Sequence, residues 1–431
     1  MRGVKNAVCF ITQSQFDFDP RIRRKAMALV ASGYTVDVLA IRSSNGKARY
    51  LDNGVNVRTI ALGKKRGSIP RYLYEYAVFF MWALFCVTVQ GGYRRYAIVD
   101  VNTLPDFLIF SGVFVKWMGA KLVLDMHEIT PEFFMSKYGI KEDSWTIRFI
   151  KFVEKISFGY ADHVITISDP VQNLLVSRGL DASRATVITN AADDSRFAAS
   201  VSFSRQRAMS DSERFIMMYH GTLTHIYGLD LAIEAFARVH KQMPQAEIWI
   251  LGGGPESNTL NSLIQKHDLA EKVRMIGMVP STEIPAWLSQ CDVGILPIRR
   301  DCFLDYAFPN KLPEFIVMGK AAIVSRLRAI QYYFDNDAIA YFEPNSVEDL
   351  SEQMLRLYCD PDLRSRLAQL ANEEYVPISW KIMRQRYLEL VHGLSGNVNP
   401  AESAAAVMTH QRIEGSRKKR NDDGIPVDNQ I

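Results

Sequence analysis

Cysteine is sparse and scattered in this chain. Its 431 residues hold five, Cys9, Cys86, Cys291, Cys302 and Cys359, with no C-x-x-C pair. An odd number at irregular spacing argues against a disulfide framework and for a reducing cytoplasm, and it offers no zinc-ligand spacing. No D-x-D motif stands in a place that demands a metal. No G-x-G-x-x-G follows the first strand of either half of the chain, which removes a nicotinamide dehydrogenase. Charge of one sign is scarce as well: 51 Lys and Arg against 47 Asp and Glu leave a net charge of +4. That is too weak a balance for nucleic acid, but it suits an anionic small ligand or an anionic membrane surface. Long apolar runs are rare. The start, "MRGVKNAVCFITQSQ", reads as a first strand and not as a signal peptide. Between Glu75 and Arg94 lie 18 uncharged residues, of which the 13 from Ala77 to Val89 are mostly apolar. That length fits a buried helix or one at a membrane surface better than a bilayer span.

What the chain does have is alternation. In a first block, "AVCFIT", "TVDVLAI", "AIVDVN", "AKLVLDM" and "HVITIS" read as strands with turn residues or helical periodicity between them. In a second, "RFIMMYHG", "EIWILGGG", "VRMIGMV", "CDVGILPI" and "AAIVS" do the same. The pattern predicts an α/β fold of two doubly wound, Rossmann-like domains, with strand C-termini pointing into a cleft between them. The predicted bounds are 1–197 for the first domain, 198–212 for a Ser-rich linker, 213–378 for the second domain, 379–394 for a C-terminal helix and 395–431 for a disordered tail.

One stretch of the second block, "DYAFPNKLPEFIVMGKAAIVS", concentrates chemistry. Pro309, Asn310 and Lys311 stand just ahead of a helical pattern, so their neighbourhood offers free amides and a cation. Glu314 follows on the first turn, where a carboxylate suits the positive end of a helix. If it faces the cleft instead, it can accept two hydroxyl hydrogen bonds from a sugar. Phosphate donors beside a diol acceptor describe a nucleotide-sugar site. Two glycine turns add weaker signals. Gly221 and Gly228 in "YHGTLTHIYGL", and Gly252, Gly253 and Gly254 in "ILGGGPES", either expose amides to a phosphate or simply let backbone pass close to something.

In order along the chain, "YHGTLTHIYGLDLAIEAF", "ILGGGPES", "VRMIGMVPSTEIPAWLSQCDVGILPI" and "FPNKLPEFIVMGKAAIVS" resemble the donor domain of a family 4 glycosyltransferase of GT-B architecture. "DPRIRRKAMALVASGYTVDVLA" is similar to the first strand–helix–strand unit of the polysaccharide-assembly branch, and "ADHVITISDPVQNLL" with "ATVITNAADDSRF" to its hinge-proximal segment. The resemblance covers about residues 5 to 392. It implies a retaining transfer that uses a nucleotide-diphosphate-sugar as substrate and needs no cofactor and no metal. It implies that Glu314, the second Glu of an E-x7-E motif, binds the donor ribose. The loop from Pro309 through Asn310 and Lys311 to Leu312 would hold the diphosphate, with Gly221, Thr222 and Gly254 on the donor turns. His127 of "LDMHEITPE" would contact the transferred sugar; the alternative is that it only caps a strand end.

Three departures from the family pattern stand out. The first Glu of E-x7-E falls on Tyr306. The usual Arg and Lys fall on Thr222 and Tyr227. The glycine-rich loop after the first strand is replaced by "SQFDFDP". Lys311 is the best local replacement for the missing cations, with Arg299, Arg300, Arg21 and Arg24 as further candidates. In the first domain, Asn102 and Asp106 of "VNTLPDFLIFSG" read as acceptor contacts, with Asp106 alternatively a helix cap, and Asp17 and Asp19 carry the same ambiguity. The run Arg21, Arg23, Arg24 and Lys25 reads as a solvated helix face or as a site for a phosphate-bearing or lipid-linked glycan acceptor. With Ala77 to Val89 it implies a protein of the cytoplasm that touches the inner membrane face. A nucleotide-sugar epimerase and a degenerate, transferase-like scaffold subunit remain as alternatives.

Overall fold

A computed structural model of the chain describes residues 6–43, 46–63, 69–193, 196–197 and 214–396. The predicted linker, and all but the first two residues of the predicted tail, lie outside them. The first sheet contains β1 (Ala7–Thr12), β2 (Thr35–Ile41), β3 (Arg49–Asp52), β4 (Val55–Ile60), β5 (Ile98–Asn102), β6 (Lys121–Met126), β7 (His163–Thr166) and β8 (Ala185–Val187). Its order is β3-β4-β2-β1-β5-β6-β7-β8, and every pair is parallel except β3 with β4. The second sheet contains β9 (Phe215–His220), β10 (Ala246–Leu251), β11 (Val273–Gly277), β12 (Val293–Leu296), β13 (Ala321–Ser325) and β14 (Ala340–Phe342). It is wholly parallel, in the order β11-β10-β9-β12-β13-β14. All residues of β1, β5, β9 and β10 are buried, as strands covered by helices on both faces must be.

The two domains are doubly wound, and, apart from the edge hairpin β3–β4, each strand order reverses once, between β1 and β5 and between β9 and β12. The crevice beside such a reversal, at the strand C-termini, is where open α/β sheets hold ligands. Four elements were absent from the sequence reading: β3, β4, β8 and β14. The β3–β4 pair is a hairpin turned at Asn53 and Gly54, both at positive φ (47° and 86°), the left-handed conformation that Asn-Gly supplies at least cost.

The helices that position the sites are α1 (Pro20–Ala31), α2 (Ile69–Arg94), α3 (Val113–Trp117), α4 (Trp145–Tyr160), α5 (Leu229–Val239), α6 (Lys311–Val317) and α7 (Trp380–Ser395). The last of these returns to the first domain. Tyr387 donates to Asp100 at 2.9 Å, His392 stacks on Tyr34 at 5.7 Å between ring centroids, and the Arg24 guanidinium lies 5.0 Å from the Trp380 ring.

Beneath α7 lies a chain of buried charge. Lys25, 3% exposed, forms ion pairs with Asp125 and, at 3.6 Å, with Asp100. Burial works against the ammonium, but the two aspartates outweigh it and raise the Lys25 pKa. The basic run on α1 is therefore not a solvated face. Besides Lys25, Arg21 pairs with Asp19, Arg23 with Asp52, and Arg24 donates to the Ala191 carbonyl. Its cations all have partners within the fold, although Arg21 and Arg23 stay partly exposed.

Removing one member of a buried ion cluster leaves the others without compensation. Lys25→Met is expected to lower stability by about 3–5 kcal/mol in urea unfolding. Asp100→Asn and Asp125→Asn in the same chain should recover part of the loss. A loss below about 1 kcal/mol, the level of an exposed pair, would contradict the arrangement.

Candidate functional site

The first group of predicted residues surrounds a cavity of about 210 Å³ at the C-terminal ends of β1, β5 and β6. Thr12, Asp19, Arg21, Tyr76, His127 and Glu128 are among its walls. Asp19 caps α1 by accepting from the Arg21 amide and also faces this cavity, so the two readings of it hold together. Burial raises its pKa, but Arg21 and His127 outweigh that and bring it down to about 2, an ionised carboxylate.

His127 follows directly on β6. Its Nε2 lies 2.8 Å from Asn102 Oδ1 and 3.0 Å from Asp125 Oδ2. Asn102 Nδ2 in turn donates to Asp100 Oδ1 at 3.2 Å, which fixes the amide with its oxygen toward the imidazole. Two acceptors at one nitrogen require Nε2 to carry the proton. Burial, aided by Arg21 and opposed by Asp125, lowers the His127 pKa, so the ring is neutral at pH 7 and Nδ1 carries a lone pair. That Nδ1 is buried with no hydrogen-bond partner among the described residues. His127 thus presents an acceptor, held in place through Asp125 by Lys25.

Asn102 and Asp106 need correcting as acceptor contacts. Asn102 is 1% exposed and works behind His127. Asp106 is 2% exposed, accepts from Thr130 Oγ1 at 2.7 Å and is pushed up to about 7 by burial. It makes no side-chain cap on the turn it begins.

The second group lies at the C-terminal end of β9. Gly221 and Gly252 have φ of 128° and 136°, and a Cβ on Gly252 would lie 1.8 Å from the Gly221 carbonyl oxygen. A Cβ on Gly254 would lie 2.2 Å from the Leu223 oxygen. The backbone that passes close to the "GGGP" turn is the other glycine turn, so packing alone demands glycine at 252 and 254. Gly221 differs, because a Cβ there would meet Lys311, at 2.3 Å from Cε and 2.9 Å from Nζ.

Lys311 opens α6. Its Nζ sits 4.0 Å from the centroid of the Tyr227 ring and 5.3 Å from that of Tyr219. Among the described residues no carboxylate lies within ion-pair distance of it. Desolvation lowers its pKa to about 8, with Glu314 the opposing influence. Tyr227, at the place of a cation usual in the family, is therefore the seat of Lys311. Thr222, at the other such place, is exposed; its carbonyl accepts from the Tyr219 hydroxyl at 2.8 Å.

Within the predicted phosphate loop, Pro309 has no amide proton, the Leu312 amide donates to the Pro309 carbonyl at 3.2 Å, and the Leu312 side chain is fully buried. Among the described residues the amides of Asn310 and Lys311 make no backbone hydrogen bond outside their helix, and Asn310 Oδ1 is buried with no hydrogen-bond partner. Glu314 accepts from Arg196 at 2.5 Å, and its Oε2 is 3.4 Å from His220 Nε2 without hydrogen-bond geometry. Burial raises the Glu314 pKa while Arg196 opposes it. Burial, with Lys311 and Arg196, brings His220 down to about 3, so this imidazole is neutral.

Arg196 and His220 were missed by the sequence reading. The reserve cations it named are engaged elsewhere: Arg299 with Asp230, Arg300 with Asp305 at 3.1 Å. Tyr306 accepts from Arg328 at 3.0 Å. The two groups face each other across the cleft. Burial, and after it Glu128 of the cavity wall, raises the pKa of Tyr227, and Asn190 donates to the Phe308 carbonyl at 3.0 Å between the domains.

Comparison with known proteins covers both halves. The family "Glycosyl transferases group 1" matches residues 201–374, and "Glycosyl transferase 4-like domain" matches residues 19–191. WbjE of Pseudomonas aeruginosa, named as a glycosyltransferase, is 22% identical over 311 residues, 67% of this chain and 72% of that protein. WcaL of Escherichia coli, named for colanic acid biosynthesis, is 25% identical over 223 residues, 51% of each. Two solved structures share the architecture. Sucrose-phosphate synthase from Thermosynechococcus elongatus superposes with a TM-score of 0.71 at 17% identity, over 91% of this chain and 100% of the other. Anabaena HepE in complex with UDP gives 0.65 at 16%, over 90% and 100%. With a glycosyltransferase family on each half and this fold around them, the chain belongs to the group 1 glycosyltransferases, enzymes of GT-B architecture.

Proposed function

We propose that the chain transfers a sugar from a nucleotide-diphosphate donor to a hydroxyl of a glycan carried on a lipid, with retention of configuration and without a metal. The observation that carries the donor half is Lys311, a desolvated ammonium with aromatic faces beneath it and no carboxylate within ion-pair distance among the described residues. A cation so placed lacks the counter-charge that a diphosphate brings. The amides of Asn310 and Lys311 supply donors to the same group. Glu314, held by Arg196, accepts from the ribose hydroxyls.

On the opposite wall the bare Nδ1 of His127 accepts from a hydroxyl of the transferred sugar. The acceptor glycan enters the cavity beside Asp19 and Arg21. The bond from the anomeric carbon to the diphosphate oxygen breaks as the acceptor oxygen bonds on the same face. The departing diphosphate takes the acceptor proton and leaves with the charge that Lys311 stabilises. Among the described residues no three His, Cys, Asp or Glu are grouped as a metal would need, and the diphosphate charge falls to Lys311. The family resemblance supports retention. The UDP complex of HepE supports a nucleotide in this fold, and the names of WbjE and WcaL support a glycan product.

Calorimetric titration with UDP-, GDP- and ADP-linked sugars tests the donor half. One nucleotide class is expected to bind. Glu314→Ala should weaken it by about 1.5–3 kcal/mol, the range of a hydrogen bond to a charged group, which is roughly tenfold or more. Lys311→Met should weaken the free diphosphate as strongly as the whole donor, whereas Glu314→Ala should leave inorganic pyrophosphate unaffected. Equal affinities for wild type and both variants would overturn this reading.

A further inference from the structure

Helices α2, α3 and α4 cover one face of the first sheet and bury one common core, through Phe79, Ala83 and Val87, through Val115, and through Phe158. Their outward faces therefore point the same way. On α2 the broad side turned away from that core carries Leu73, Met81, Phe85 and Tyr93, each more than 60% exposed. Beside it on α3 stands Trp117, 77% exposed, and on α4 Trp145, 78% exposed, with Phe149, Phe152 and Ile156 on the same side.

The charges on these helices are as one-sided as the apolar groups. Their two acids, Glu75 and Glu154, are 3% and 1% exposed. Arg71, Arg94, Lys116 and Lys151 each pair with a carboxylate. Arg148 and Lys155, exposed beside that row on α4, have no carboxylate within ion-pair distance among the described residues. Apart from Glu142, exposed beside Lys151, what solvent meets on these helices is aromatic, aliphatic and positive. Trp and Tyr at an interface, with free Lys and Arg among them, match the chemistry of an anionic lipid surface.

A span is excluded by packing. By length and composition α2 could cross a membrane, but its other side carries buried Glu75 and Gln90 and rests on the sheet. It lies along the face of the sheet. Tyr72, Glu75 and Tyr76, on its first turns, line the cavity of the first domain, while Leu73 and Tyr74 on the same turns face outward.

We propose that the outward faces of α2, α3 and α4 form a docking surface for an anionic lipid bilayer and bring the cavity mouth to the membrane, where a lipid-borne acceptor reaches it. This deepens, and rests on, the glycosyltransferase reading above. It replaces α1, whose cations are internally paired, as the membrane-facing element.

The test is sedimentation of the full chain with phosphatidylcholine vesicles, with and without phosphatidylglycerol, beside nucleotide-sugar titration of the same samples. The wild type is expected to bind the phosphatidylglycerol vesicles, to release in high salt, and to shift its tryptophan emission to the blue. Arg148→Glu with Lys155→Glu should weaken binding at least about tenfold. Phe85→Ser, Trp117→Ser, Trp145→Ser and Phe149→Ser together should weaken it about a hundredfold or more. Both variants should keep the wild-type thermal midpoint and nucleotide affinity. Wild-type protein that binds nucleotide but no vesicles overturns the surface and leaves the transferase reading in place. Vesicle binding without nucleotide binding upholds the surface and sinks the donor reading. Equal vesicle binding by wild type and variants overturns the proposal. So does self-association that the apolar variant abolishes, which would assign the face to a second copy.

Discussion

An ammonium taken out of water has to be met by something, and Lys311 is met by ring faces. Tyr227 and Tyr219 hold it by their quadrupoles, Gly221 leaves room for its methylenes, and Glu314 lies near enough to favour the charge but outside pairing distance. Much of the second domain's cleft edge follows from that seat. Gly221 must have no side chain. His220 must stay neutral beside two cations. Glu314 must be held by a different cation, Arg196, so that it does not close on Lys311. A substitution that looks like the loss of a phosphate-binding lysine at 227 becomes the support for another lysine.

The first domain solves the opposite problem. There a cation, Lys25, is fully paired, and its partners transmit that order to the cavity. Asp125 fixes His127 and Asp100 fixes Asn102, so one imidazole nitrogen is committed and the other is left bare. Tyr387 ties the same cluster to α7. The returning C-terminal helix thus contributes to the setting of a residue at the cleft, although it touches no predicted ligand. A buried pair of this kind is weak as a source of stability and useful for fixing one arrangement.

Much of the fold was legible because alternation of short buried strands with amphipathic helices has few physical solutions. The loop at 309–314 was legible because Asn-Lys ahead of a helix, followed by Glu, has a chemical sense on its own. Other features carried a signal that went unread. Asn53-Gly54 between "RYLD" and "VNVRTI" marks a hairpin, and Lys25 falls on the stripe of Ile22, Ala26 and Leu29, all buried, where a lysine must find a partner. The pairing of Arg196 with Glu314 could not be read, since 118 residues separate them and only the folded chain brings them together. Nor could the sequence show that the two glycine turns, on adjacent strands β9 and β10, are each other's neighbour, or reveal the strand β14, too short to show a period.

The seat of Lys311 makes a claim that can be measured in protons. With a pKa near 8 in the free protein, this amine is mostly neutral at pH 9, and a bound diphosphate should restore its charge. Calorimetry of nucleotide binding at pH 9, in buffers of different ionisation enthalpy, would count the protons. The account predicts uptake approaching ~1 proton per nucleotide bound, and none in Lys311→Arg, whose guanidinium is already charged. Binding with no proton uptake in the wild type would contradict it.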